Sequence, residues 1–186
     1  MISILILIGK TSSGKTLIKE KLIEKGFTGI ATFTNRSMRK GEEQDITYHY
    51  ISEEEFKQKI EDGFFAEWKS YDTEFGIWYY GSALENLENA EDNSVIILTP
   101  DGYRDVKRKL PNKNITAIYI YANISTIETR LIKRGDDEKE ARRRIDHDNE
   151  DLKGIENEVD KIVYNNFDYD INEVVQKILD FVEVKK

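Results

Sequence analysis

No cysteine occurs in this sequence, which excludes a disulfide framework, a catalytic thiol and a cysteine-held zinc site. Histidine is nearly as scarce. His49 falls on an alternating stretch and His147 in a charged helical one, and neither has the spacing of a metal-ligand set. Only two prolines are present, and no low-complexity tract marks a linker. No apolar run approaches the roughly 18 residues that a membrane span requires. The apolar start at 2–8 is too short for a secretory signal and lacks a basic leader, so a buried strand and a cytoplasmic location are expected. Positive charge is in deficit: 28 Lys and Arg stand against 36 Asp and Glu, for a net charge of -8. That balance argues against nucleic acid or an acidic membrane as partner and leaves the basic clusters to serve compact anions. At 186 residues, one unit with a sizeable core is expected over 1–186.

What is present begins directly after the apolar start. Gly9-Lys10-Thr11-Ser12-Ser13-Gly14-Lys15-Thr16 fits the phosphate-loop pattern, Gly, four residues, Gly-Lys-Thr, between an expected strand and an expected helix. Glycines let the backbone turn its N–H groups inward as an anion nest. Lys15 suits the terminal phosphates, Thr16 offers a hydroxyl to Mg²⁺, and the following helix points its positive end at the same place. A nucleoside triphosphate, ATP with Mg²⁺, is therefore expected there.

Short apolar runs alternate with amphipathic stretches along the rest of the chain, the pattern of a parallel sheet flanked by helices. Core strands are expected at 2–8, 29–34, 94–99, 115–121 and 161–164, and helices at 15–25, 104–110, 125–133, 138–155 and 171–182. Two segments interrupt the alternation. From 36 to about 82 lie alternating stretches near 47–51 and 64–80 with a helix near 53–61 between them, read as a small lobe packed by Phe64, Phe65, Trp68 and Trp78. The segment 134–144 is basic at both ends with Ala141 its single apolar residue, and reads as a solvated flap.

The lobe carries the most specific pattern. Thr34-Asn35-Arg36-Ser37-Met38-Arg39-Lys40-Gly41-Glu42, then Tyr48, Glu67-Trp68 and Tyr79-Tyr80-Gly81-Ser82, resembles the acceptor lobe of the guanylate kinase family. The resemblance implies a P-loop kinase three-layer α/β fold. Its parts would be a central parallel five-stranded sheet (core 1–34 and 83–186), a small mixed acceptor-binding lobe (35–82) and a lid at about 134–146. It implies GMP or dGMP as acceptor and a monomer or homodimer. Arg36 and Arg39 resemble the pair gripping the monophosphate, where arginine's donor fork suits a phosphate, and Tyr48 and Tyr80 its hydroxyl donors. Glu42 resembles the carboxylate that reads guanine. Thr32 and Ser82 resemble hydroxyls near the guanine O6, Glu67 a further acidic lobe residue, and Asn165 the contact near the ATP adenine. Arg130, Arg134 and Arg144, with Arg142 and Arg143, resemble lid arginines, so Lys15, Arg130, Arg134 and Arg144 are the expected catalytic set.

Departures from the family keep alternatives open. Its Asp-x-Asp at the end of the third core strand is replaced by Ile97 and Thr99, with Asp101 the nearest acid. Thr99 can hydrogen-bond but brings no charge. Its Gly-x-Asp-Tyr reads Asp45-Ile46-Thr47-Tyr48, and the segment 69–78 is about four residues longer. A kinase for another nucleotide or a sugar phosphate, and a binding module without catalysis, remain as competing readings.

Overall fold

A computed structural model describes residues 3–39, 41–73, 75–135 and 137–185, with Glu140 described by its backbone only. Ile2 and Lys40, drawn into the first strand and the lobe motif by sequence, lie outside the described residues, as does Asp136 of the expected flap.

The apolar start forms β1 (Ile4–Ile8), every residue of which is buried. It is the middle strand of a parallel five-stranded sheet with β2 (Thr28–Gly29), β7 (Ser94–Ile97), β8 (Ile115–Tyr121) and β9 (Lys161–Tyr164), in the order β2-β7-β1-β8-β9. Register places Ile6 beside Ile96 and Ala117, so the strand's alternation sorts its side chains into two cores. Ile4, Ile6 and Ile8 face Tyr103 and Val106 of α4 (Pro100–Lys109), together with Leu152 and Ile155. Leu5 and Leu7 face Ile18 and Leu22 of α1 (Lys15–Glu24) and Val174 and Ile178 of α7 (Ile171–Val184). A strand buried on both faces reads as continuous apolar sequence, which is why the pattern at 2–8 was legible.

A second, mixed sheet has the order β4-β3-β6-β5, from β3 (Thr32–Thr34), β4 (Tyr48–Tyr50), β5 (Phe65–Thr73) and β6 (Gly76–Ala83). It packs on α2 (Glu53–Glu61), whose cap residue Ser52 accepts the Glu55 N–H at 3.1 Å. Phe56, Phe65 and Tyr79 form its core, with the Phe56 and Phe65 rings stacked 4.5 Å apart. The single strand expected at 29–34 is two strands in different sheets, separated by Ile30 and Ala31. Local alternation carries no mark of a change of sheet, because two short strands and one longer one bury the same residues. The expected stretch 64–80 is a hairpin that pairs Tyr71 with Trp78 and Thr73 with Gly76. At its tip Phe75 is 82% exposed, and Trp68 is 45% exposed. Trp68 packs from the edge, its ring 6.3 Å from that of Tyr79, while Phe56, Phe65 and Tyr79 fill the centre.

The α3 helix (Leu84–Glu88) returns the chain to the parallel sheet. The helix expected at 138–155 runs from Glu138 to Asp151 and takes in most of the expected flap. α5 (Ile124–Arg134) ends on Gly135 at φ 80°, and α6 (Glu138–Asp151) follows. Ala141 and Ile145 are buried against Ala122, Ile127 and Leu131, so α6 docks on α5. Two apolar residues four apart suffice to fix one face of a helix that is otherwise charged. Among the described residues no helix is long and apolar enough to cross a membrane.

Candidate active site

Residues 9–16 form the expected loop at the carboxyl end of β1, the position in an open α/β sheet where ligands bind. Gly14 caps α1 at φ 98°, and a Cβ there would come within 2.3 Å of Asn165 Nδ2. Only glycine meets both conditions. Ser13 is fully buried. Its carbonyl accepts from Asn165 Nδ2 at 2.8 Å, and the Ser12 carbonyl accepts from Arg130 Nη1 at 3.2 Å. Asn165 and Arg130 thus brace the loop. Lys15 Nζ lies over it, donating to the Gly9 and Lys10 carbonyls at 2.6 Å each. Burial pulls the Lys15 ammonium down to about 8, with Asp148 acting in the opposite sense.

A cavity of about 480 Å³ runs from this loop to the lobe, within the size range of small-molecule sites. Gly9, Thr11, Lys15 and Thr16 line one end. Thr32, Arg36, Arg39, Glu42, Tyr48, Glu67 and Tyr80 line the other, and Thr99 is also on the wall. Arg134, Arg143 and Arg144 reach it from α5 and α6. Arg130, expected among the catalytic arginines, does not line the cavity; its guanidinium is engaged by Ser12. Lys10 does not line it either, donating through Nζ to Asn149 Oδ1.

At the lobe end the charges are paired before any ligand is considered. Arg36, 4% exposed, gives Nη2 to both Glu42 oxygens at 2.8 and 2.9 Å, and its guanidinium lies 5.5 Å from the Tyr48 ring centroid. Glu42 also accepts the Arg39 N–H and the Tyr50 hydroxyl, each at 2.7 Å. Burial opposes its charge, but these bonds, Arg36 first, hold its carboxyl below the ordinary range. Arg39 is pushed down by burial and then by the neighbouring Arg36 and Arg144. That is the signature of a cation cluster.

Glu67 has the opposite environment. It is 7% exposed, accepts the Ser82 hydroxyl at 2.5 Å, and burial raises its carboxyl to about 7. A Cβ on Gly102 would sit 2.7 Å from Glu67 Oε2, so the glycine leaves room for that oxygen. Thr99 is committed to the backbone: its hydroxyl accepts the Gly102 N–H at 3.1 Å as the cap of α4. Asp101, the nearest acid to the missing pair, is bound instead to Arg104 at 2.8 Å. Asp45, standing where the family pattern has glycine, takes φ 64°, a left-handed conformation that Asp tolerates better than most residues.

Sequence reasoning missed four participants. Lys19, one helical turn after Lys15, lines the cavity and donates to the Ile30 carbonyl at 2.7 Å. Asp148 and Asp151 enter from α6, in the charged stretch beyond the expected flap, where no residue was singled out. Trp78, assigned to lobe packing, stands on the cavity wall and stacks on Phe75 at 6.1 Å. The helical period alone put Lys19 on the Lys15 face.

Comparison with known proteins agrees with this geometry. The family model described as guanylate kinase matches residues 1–185. The chain is 34% identical over 145 residues to a guanylate kinase of Helicobacter pylori, covering 74% of this chain and 67% of that one. It is 28% identical over 170 residues to a guanylate kinase of Campylobacter jejuni, covering 87% and 80%. Among solved structures, a guanylate kinase from Anaplasma phagocytophilum superposes with a TM-score of 0.70 at 19% identity, covering 98% of this chain and 85% of that one, a likeness of fold. From the phosphate loop to the second sheet, and over nearly its whole length, the chain belongs to the guanylate kinase family.

Proposed function

We propose that the chain transfers the γ-phosphoryl group of ATP to a guanine nucleoside monophosphate, GMP or dGMP. One observation carries this reading: a single cavity has Lys15 and the phosphate loop at one end and Arg36, Arg39 and Glu67 at the other. ATP docks with its phosphates on Gly9–Thr16, and the acceptor's phosphate on Arg39 with Tyr48 and Tyr80. The acceptor's phosphate oxygen is itself the nucleophile, so positioning and charge stabilisation suffice. Thr16 is exposed on the cavity wall, and among the described residues no cluster of His, Asp or Glu could cage a metal. That donor set fits a Mg²⁺ held by phosphates, water and one hydroxyl. When bound, Mg²⁺ supplies charge neutralisation at the β- and γ-phosphate oxygens.

The bonding pattern supports different work for the two lobe carboxylates. Glu42 is held by Arg36, Arg39 and Tyr50, and acts as the buttress that aims Arg36. Glu67, with Ser82 and Thr32 nearby on the lobe sheet, reads the base: guanine offers N1–H and its amino group as adjacent donors that one carboxylate accepts together. Adenine presents a bare acceptor at N1 and is repelled. Glu42→Gln is accordingly expected to raise KM for every monophosphate acceptor alike, by roughly tenfold. A loss confined to guanine acceptors would return base reading to Glu42.

A coupled ADP-release assay with ATP and Mg²⁺ against GMP, dGMP, AMP, CMP, UMP and dTMP tests the reading. Turnover confined to GMP and dGMP supports it. Ile97 and Trp78 give the cavity apolar walls and favour a second reading, a different phosphorylated acceptor. Turnover of another monophosphate at the expense of GMP selects that reading instead.

A further inference from the structure

The phosphate loop is already engaged by an anion of the chain itself. Asp148, on α6, lines the cavity and accepts the backbone N–H of Thr11 through Oδ2. Its charge also acts on Lys15. A loop N–H and the loop lysine are the groups that receive a nucleotide's phosphates. The next residue of the same helix, Asn149, accepts from Lys10 Nζ. Two other residues of α6, i and i+4, hold the lobe: Asp151 pairs with Lys69 of β5 at 2.5 Å, and His147 packs on Tyr71 with centroids 5.7 Å apart. One short stretch, 147–151, therefore touches both ends of the cavity. The contact with the loop is not a comfortable one for the carboxylate. Burial holds the Asp148 carboxyl above its ordinary range, outweighing the Thr11 N–H and Lys15. A neutral side chain would support the loop at less cost.

On the reading that ATP binds this loop, we infer that Asp148 is a donor-site residue acting against the donor: its carboxylate takes the place of a phosphate oxygen on the Thr11 N–H and beside Lys15, and is displaced from them when the polyphosphate enters. Two anions cannot share one backbone donor in a site of low dielectric. ATP affinity is thus set by a competition within the chain. Because His147 and Asp151 tie the same stretch to the lobe, the competition is linked to how the lobe is held.

Calorimetric titration of ATP with Mg²⁺, without acceptor, into wild type, Asp148→Asn, Asp148→Ala and Asn149→Ala tests this. Both Asp148 variants should bind roughly tenfold more tightly than wild type. Asn149→Ala, which removes an uncharged acceptor on the same helix and leaves Asp148 in place, should stay within about twofold of wild type. Damage to the loop would weaken binding, so a gain is a result that a merely supporting role does not produce. Unchanged or weaker binding in the Asp148 variants, with wild type binding ATP, overturns the inference and leaves the donor reading standing. Loss of folding in both Asp148 variants, seen by thermal melting, also overturns it by making the carboxylate a structural support. Failure of all four proteins to bind ATP overturns the donor reading and the inference together.

Discussion

Arg134→Ala is expected to lower kcat by about 10³ or more, the range seen for arginines that stabilise phosphoryl transfer, while the acceptor's KM changes little. Arg134 closes α5 immediately before the Gly135 cap, and Arg144 stands near the middle of α6. The Ala141 and Ile145 contacts with Ile127 and Leu131 fix the two helices together, so both arginines line the cavity from one packed unit. Arg39 feels Arg144 as a neighbouring positive charge. Gathering guanidinium groups in a partly buried cavity is unfavourable unless an anion is to be held among them, and the anion with the most charge to spread is the phosphoryl group in transit. Steady-state kinetics decide: an unchanged kcat in Arg134→Ala removes Arg134 from the chemistry, and a rise in KM alone makes it a binding residue. Arg134→Lys should recover only part of the loss, because an ammonium cannot reproduce the planar fork.

The second large effect runs in two directions. Glu67→Gln should cost roughly 10- to 100-fold in kcat/KM for GMP, as expected for losing a charged hydrogen-bond acceptor, and yet stabilise the protein above neutral pH. The carboxyl titrates at 4.5 ordinarily and at about 7 in the fold. Between those values the folded chain holds the proton that the unfolded chain releases, so stability falls as pH rises through that window. Above it the full cost stands, about 3 kcal/mol. Glutamine carries no such cost and still accepts from Ser82. Melting curves should show Glu67→Gln well above wild type at about pH 8, with the gap closing towards about pH 5. A gap that persists at the lower pH would show that the gain does not come from the buried charge. Burying a carboxylate at a functional site at the expense of stability is a common trade.

The parts legible from sequence were those in which residue types and local spacing are themselves the mechanism. Gly9, Gly14, Lys15 and Thr16 announce the loop because backbone freedom and short-range chemistry make it work. The all-apolar β1 and the helical spacing of Val174, Ile178 and Val182 announce a sheet buried on both faces. The split of 29–34, the hairpin tip at Phe75 and the docking of α6 were not legible, since each depends on which element lies opposite. Ala141 and Ile145 bury themselves only because α5 offers Ile127 and Leu131.

The same division runs through the site. Sequence by itself determined the central sheet, the anion nest and the arginine pair Arg36 and Arg39 in the lobe, because periodicity, glycine and arginine act within a few residues of themselves. Tertiary structure decided the work of individual charges. It paired Glu42 with Arg36, buried Glu67 beside Ser82 and Gly102, turned Arg130 to the back of the loop and brought Asp148 to its front. A carboxylate's role is set by which donors surround it and how much water is excluded, and both are supplied by residues far away along the chain.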